Sequence, residues 1–376
     1  MSINEFIGEN SFENIKFLIR DNKFKKILIF AGKTSFFKSG ACEQVKTILN
    51  DIKYEIIYKT KDYPDFVDLI ISIKKLNDFA PDLIIAIGGG AVLDLAKISN
   101  TLYSTKKLQQ KIQVSDLTID NKFCKLVAVP TTAGSGAEVT SNATLYINKQ
   151  KYSIESKLIC PDYVIIDPHL IMSAPKEISA SSGMDAVAQA IESLISKKSN
   201  DISVDYAIKS LKYSTKFLVK HINHKSFDTA HKMSLAALHA GKAINISKTT
   251  APHALSYPFT SYYGIKHGNA VSLTLIDFLK FNYNYLAHSK TNFNLEDRFK
   301  IIFESFKVNS IFELENEIKS TIHNVGLVTD VRKFNVRNES DINLILSNIN
   351  SQRLSNNPVD LSTKQIRPIL LSKIFC

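Results

Sequence analysis

Cysteine is scarce in this chain. Its 376 residues hold four, Cys42, Cys124, Cys160 and Cys376, far apart and with no CxxC pair. Such spacing indicates neither a zinc ribbon nor a disulfide framework and suits a reducing compartment. Long apolar runs are missing as well. The longest, Leu83 to Leu93, contains three glycines and is too short to span a bilayer. The first ten residues, MSINEFIGEN, lack the basic start and apolar core of a secretory signal. A cytoplasmic protein without membrane association is therefore expected. No stretch interleaves arginines with aromatics, so a nucleic-acid partner is not expected either. The 47 basic residues against 36 acidic ones leave a net charge of +11. The lysines are scattered, and Lys, Asn, Ile and Ser are abundant throughout, so compositional bias accounts for much of that excess; an anionic small-molecule substrate stays open.

What is present suits two domains, since the chain is long for one core and rich enough in apolar residues to bury two. The first 165 residues alternate short apolar strands with amphipathic helices. Lys25 to Gly32, Lys53 to Thr60, Pro81 to Gly90 and Cys124 to Thr132 read as strands, which implies an α/β fold with a largely parallel sheet and helices on its faces. Asp167-Pro168, closing PDYVIIDP, disfavours helix and marks the crossing into a second domain, giving 1-167 and 168-376. Beyond it the patterns are helical: Ile178 to Ser196, Val204 to Val219, Ala230 to Asn245, Ala270 to Phe281, Leu295 to Phe303 and the C-terminal stretch.

Ligands of such a sheet bind beyond the carboxyl ends of its strands, and the glycines fall there. In GGGAVLDLAK, Gly88, Gly89 and Gly90 follow a strand and open a helix. A backbone without side chains can approach a pyrophosphate whose charge the helix N-terminus stabilises. The pattern is not GxGxxG, and an ordinary strand-to-helix turn is the alternative. A second small, hydroxyl-rich loop, PTTAGSGAEVT, follows another strand; Thr131, Thr132 and Ser135 can bond phosphate, ribose or nicotinamide, or form a plain surface turn.

The segment from Gly183 to Gly268 holds the metal-site candidates. Asp185 and Gln189 stand four residues apart in a pattern that reads as a buried helix, so one face offers two oxygen donors. His253 and His267 follow, flanking what reads as a loop with Pro258 and Gly264, before a helix that starts after Gly268. Imidazole and carboxylate suit Zn²⁺ or Fe²⁺, with one position open for substrate. Helix capping by Asp185 and ordinary loop histidines are the alternative, because the His spacing matches no compact ligand motif.

GGGAVLDLAK, VPTTAGSGAEVTSNAT, GMDAVAQAIES and HALSYPFTSYYGIKHGNAVSL resemble, in order and spacing, segments of the iron-containing (group III) alcohol dehydrogenase family, and the similarity runs nearly the whole chain to NNPVDLS. The resemblance implies an N-terminal Rossmann-like parallel-sheet domain and a C-terminal all-helical metal-binding domain of dehydroquinate synthase-like architecture. It implies NAD(P)H as cofactor, with the glycine loop on the pyrophosphate, Asp94 and Lys97 completing its signature, and the Thr131, Thr132, Ser135 loop bordering the nicotinamide. It implies a divalent metal, Fe²⁺ or Zn²⁺, on Asp185, His253 and His267, and a homodimer. Gln189 departs from the family's His, and Tyr257 stands where many relatives repeat a His. His267 and Tyr257 are the catalytic candidates, Tyr257 as a proton relay. Where an acidic residue selects NAD in the family, Gly32, Lys33, Thr34 and Ser35 form the turn here, so NADPH should be accepted. ISKTTAPHALSYP looks like the phosphonoacetaldehyde reductase branch; Lys248, Thr249 and Thr250 would bind the anionic end of a small aldehyde, with Asn142, Tyr262 and Lys266 as weaker donors. Another group III alcohol dehydrogenase on a small alcohol, a dehydroquinate-synthase-type lyase, and a nucleotide-binding protein with a decayed metal site are the competing readings.

Overall fold

The computed structural model describes residues 3–375. The chain divides into two compact units, one running to Ala174 and including Ser226–Ser234, the other comprising Pro175–Lys225 and the residues from Leu235 on.

The first unit is an α/β sandwich around a six-stranded sheet. Its strands are β1 (Asn4–Ile7), β2 (Lys26–Gly32), β3 (Lys53–Lys59), β4 (Leu83–Gly88), β5 (Lys125–Pro130) and, after a hairpin of β6 (Asn142–Ile147) and β7 (Gln150–Glu155), β8 (Tyr163–Ile166). The order is β1-β8-β5-β4-β2-β3, all parallel. Every residue of β4 is buried, as a central parallel strand covered on both faces requires. Leu28, Phe30, Ile84 and Ala86 face one core layer with the helix Gly90–Leu102; Ile27, Ile29, Ile85 and Val127 face the other. The chain leaves β2 for β3 on one side and then crosses to β4 on the other, so a topological switch point lies at the carboxyl ends of β2 and β4, where ligands of open α/β sheets bind. The four-residue strand β1 and the antiparallel β6–β7 pair were not legible as strands. Nor is Lys33 to Ser35 a free turn: Lys33 begins a six-residue helix.

The second unit is helical. The long helix Lys176–Ile195 packs on Asp201–Asn223 and on the short helix His267–Ser272. The segment expected as a loop around Pro258 is instead the helix Ala251–Tyr263, capped by Gly264 at φ 69°. Proline inside a helix removes one donor and leaves the carbonyl four residues earlier without its partner. Here the orphaned Ala254 carbonyl accepts the Asn350 N–H at 3.3 Å, so a neighbouring segment repairs the ladder. The expected helix Ala270 to Phe281 is two, His267–Ser272 and Leu275–Asn284. Among the described residues no helix is long and apolar enough to cross a membrane.

Candidate metal centre and nucleotide cradle

In the helical unit the spacing of Asp185, Gln189 and Glu192 at i, i+4 and i+7 puts three polar side chains on one face of the helix Lys176–Ile195. All three are buried. His253 comes from the second position of the first turn after Ala251, and His267 is the first residue of its helix. One ligand atom from each of Asp185, His253 and His267 lies within 4.8 Å of the others. His253 Nε2 is 3.1 Å and His267 Nε2 3.9 Å from Asp185 Oδ1. Gly268 makes this approach possible. A Cβ there would lie 1.8 Å from the Ser181 carbonyl oxygen, so only glycine lets the His267 helix pack this tightly on the Asp185 helix.

The ring orientations are set from behind. His253 Nδ1 lies 2.5 Å from Glu192 Oε1, while Glu192 Oε2 accepts the Thr250 N–H at 2.6 Å and its hydroxyl at 2.9 Å. The Ser256 hydroxyl donates to the His253 carbonyl at 2.8 Å and so can accept from His267 Nδ1 at 3.3 Å. Both rings thus have Nδ1 engaged and Nε2 directed at Asp185, which is the arrangement that fixes the tautomer of a metal-ligating histidine. Burial opposes charge on His253, but Glu192 and Asp185 outweigh it and push its pKa up to about 9. Burial alone would raise the Asp185 carboxyl; hydrogen bonds from His253 and Gln189 and the charge of His267 carry it below the usual carboxylate range. A carboxylate and two preset imidazoles fit Zn²⁺ or Fe²⁺. Asp185 and His253 are buried whereas His267 is partly exposed, which leaves an open side.

Glu192 was not singled out in the sequence, although a charged residue seven positions after Asp185 on a buried face was the available signal. Its position corrects another expectation. Thr250, expected to touch substrate, has both its N–H and its hydroxyl committed to Glu192. Thr249 is buried and its carbonyl accepts from Asn356 at 3.0 Å, while Lys248 is half-buried in the left-handed region at φ 61° after the helix Phe227–Ser247. Tyr262 donates to Asn348 at 3.2 Å and Lys266 pairs with Glu177 at 3.7 Å. Gln189 hydrogen-bonds the Asp185 carboxyl. Tyr257, one turn after His253, stacks on the His267 ring with centroids 5.7 Å apart. Burial pushes its phenol up to about 12 against the pull of Arg353, a buried residue of the helix Ser351–Leu354 that also hydrogen-bonds it and was not foreseen.

In the sheet unit, Gly88 ends β4, Gly89 is the N-cap and Gly90 the first residue of the helix Gly90–Leu102. A Cβ on Gly88 would come 2.6 Å from the Val92 side chain, and one on Gly90 2.5 Å from Ser135 Oγ. The Thr131 N–H bonds the Gly88 carbonyl at 3.0 Å, and its buried hydroxyl oxygen has no hydrogen-bond partner among the described residues. Thr132 lies alongside Gly89, 3.3 Å from where a Cβ would stand. A cradle closed to side chains, a helix N-terminus and an unsatisfied buried hydroxyl fit the pyrophosphate and nicotinamide ends of a dinucleotide. Gly32 and the exposed Lys33 sit at the neighbouring strand end of the same switch point. Asp94 and Lys97, expected beside the cofactor, are instead turned inward. Lys97 Nζ donates to the Ala137 carbonyl, Thr140 Oγ1 and the Asn142 carbonyl, and Asp94 accepts the Thr144 N–H at 2.8 Å. Burial pushes Lys97 down and Asp94 up, while the oxygens around Lys97 favour its charged form.

Comparison with known proteins agrees with this architecture. Residues 4–168 match the family model described as iron-containing alcohol dehydrogenase, and residues 179–374 that of the C-terminal domain of the Fe-containing alcohol dehydrogenase family. The chain is 28% identical over 290 residues to the bifunctional aldehyde-alcohol dehydrogenase of Escherichia coli K12, covering 73% of this chain and 32% of that protein. It thus spans about a third of the length of the aldehyde-alcohol dehydrogenases it matches. It is 30% identical over 233 residues to the phosphonoacetaldehyde reductase of Streptomyces viridochromogenes, covering 59% of each. Among solved structures, sulfoacetaldehyde reductase from Bifidobacterium kashiwanohense in complex with NAD⁺ is similar over 99% of this chain and 97% of that one, with a TM-score of 0.88 and 25% identity.

Proposed function

The chain belongs to the iron-containing alcohol dehydrogenase family, and on that premise we propose that it is a metal-dependent, NAD(P)H-linked reductase of a small anionic aldehyde, phosphonoacetaldehyde giving 2-hydroxyethylphosphonate being the substrate pair we favour. The observation that carries the reading is the convergence of Asp185, His253 and His267 within 4.8 Å. The substrate class draws support from two relatives named for acetaldehydes bearing a phosphonate or a sulfonate.

When bound, the metal would polarise a carbonyl oxygen and the nicotinamide would supply hydride. This chain's own residues do the rest. Asp185, His253 and His267 would hold the cation, with Glu192 and Ser256 keeping both Nε2 atoms toward it. The buried Tyr257 phenol, with its pKa near 12, keeps its proton at neutral pH and can give it to a stronger base such as an alkoxide. The Thr131 hydroxyl and the bare turn at Gly88 to Gly90 would seat the dinucleotide. The homodimer expected from the family resemblance is retained as part of the proposal.

The test is NADPH and NADH oxidation by the Fe²⁺- and Zn²⁺-loaded protein with phosphonoacetaldehyde, sulfoacetaldehyde and propanal. Higher kcat/KM for the charged aldehydes supports the reading. Preference for propanal would make it a reductase of neutral aldehydes. No hydride transfer from the loaded protein to any aldehyde would favour the lyase, whose three-ligand site is compatible with Gln189 bonded to Asp185.

A further inference from the structure

We propose that Lys97 is the positioning residue of the nucleotide cradle: its buried ammonium serves as a tethered cation that locks the loop after β5 onto the helix opened by the glycine turn. The inference rests on the NAD(P)-linked reading above and concerns only the sheet unit.

Lys97 is 1% exposed. Its Nζ lies 2.9 Å from the Ala137 carbonyl, 3.0 Å from Thr140 Oγ1 and 2.6 Å from the Asn142 carbonyl. Asp94 Oδ1 stands 3.5 Å away as counter-charge, and Asp94 Oδ2 holds the Thr144 N–H. An ammonium has three donors and no acceptor, so Lys97 has none left for a ligand. Burying such a charge is unfavourable unless oxygens replace its hydration shell. Two carbonyls, a hydroxyl and a carboxylate do so, as they would around a small monovalent cation. The oxygens come from the short 3₁₀ turn Ala137–Val139, the residue after it and the first residue of β6, whereas Lys97 and Asp94 belong to the helix Gly90–Leu102. The pair therefore fixes how far the Thr131 to Ser135 loop stands from the glycine turn. That spacing has no slack, because a Cβ on Gly90 would already meet Ser135 Oγ at 2.5 Å.

Lys97→Ala removes the cation and leaves its oxygen cage. In the full chain, NADH and NADPH fluorescence titrations should show Kd raised about tenfold or more, with helical circular dichroism retained. Ethylammonium or propylammonium should recover most of the lost affinity, whereas equal NaCl should not, and Lys97→Met, which fills the space without charge, should resist rescue. Kd within twofold of wild type in Lys97→Ala overturns the positioning role. A loss untouched by amines, or equally relieved in Lys97→Met, overturns the cation cage. Should Lys97→Ala fail to fold, Thr140→Val withdraws one oxygen and keeps the lysine; a few-fold weaker NADH binding at near-wild-type thermal stability supports the proposal, and unchanged binding overturns it. A wild-type chain that binds neither NADH nor NADPH overturns the nucleotide reading itself, an outcome distinct from any variant's behaviour.

Discussion

The sheet unit and the helical unit build their sites by opposite means. At the carboxyl end of β4 the site consists of missing atoms: three glycines whose Cβ positions are occupied or crowded by Val92, Thr132 and Ser135, and a hydroxyl waiting for a partner. Two charges beside it, Asp94 and Lys97, are turned inward to hold the loop. At the Asp185 helix the site consists of buried charge: two carboxylates and a histidine, each at most 4% exposed, with Glu192 and Asp185 favouring the charged form of His253 and His253 in turn favouring that of Asp185. A site of absences tolerates any change that adds nothing. A site of charges tolerates few changes at all, since removing one member strands its buried partner.

The largest expected effect lies on the charged side. Asp185→Ala leaves His253 and His267 without their carboxylate, and the purified protein should keep no Fe²⁺ or Zn²⁺ after dialysis. Turnover should fall about 10³-fold or more, the several kcal/mol that a Lewis-acid metal contributes. Full metal content by elemental analysis with normal kcat would remove the cluster from the mechanism.

Gly268 blurs the contrast, because the charged site also depends on one absent side chain. Gly268→Ala sets a Cβ against the backbone oxygen of Ser181, which cannot swing aside, and should cost about 1–3 kcal/mol or more in thermal unfolding. Gly89→Ala meets the Thr132 side chain, Oγ1 at 3.3 Å and Cγ2 at 3.6 Å, and should leave stability near wild type while weakening NADH binding, since the methyl group would enter the space proposed for the pyrophosphate. Equal melting temperatures for the two variants would show that the helices at Gly268 can part freely.

Glu192→Gln sharpens the comparison further. It keeps the shape and one acceptor oxygen but withdraws the charge behind His253. Metal affinity should drop about 10- to 100-fold, as for other outer partners of metal-ligating histidines, and activity should return at saturating metal. Unchanged affinity by calorimetric titration would make Glu192 a fold residue only.

These differences explain what could be read in the sequence. A continuous apolar run bounded by Pro81 and Gly88 can hardly be anything but a central strand, and β4 is one. Asp185 and Gln189 shared a helix face by arithmetic alone. Strand β1, with four residues on an edge, and the β6–β7 pair, joined through Asn148 and Lys149 at positive φ without a glycine, carry too little pattern. Pro258 made Ala251–Tyr263 look broken, because the repair comes from Asn350, ninety-odd residues away in sequence. Sequence distance also hid the roles of Thr250, 58 residues from Glu192, and of Lys97, 40 to 45 residues from the oxygens it binds. Each looked like a ligand contact from its neighbours in sequence, and each proves to be held by a buried group that no local spacing reveals.

The smallest expected effect concerns the exposed charge proposed for the cradle's rim. Lys33 follows Gly32 at the end of β2, on the side of the switch point away from β5, and is exposed. A 2′-phosphate reaching it would gain a charge-assisted contact, but one weakened by solvent and salt. Lys33→Asp replaces attraction by repulsion and should lower kcat/KM for NADPH by about tenfold, roughly 1.4 kcal/mol, while NADH changes little. The effect should shrink as ionic strength rises, since the Debye length falls from about 10 Å at 0.1 M to about 3 Å at 1 M. A salt-independent loss on both cofactors would mean that Lys33 supports the short helix it begins. A wild-type preference for NADH that the substitution leaves unchanged would place the adenosine ribose away from Lys33, and the cradle would then select its cofactor by shape alone.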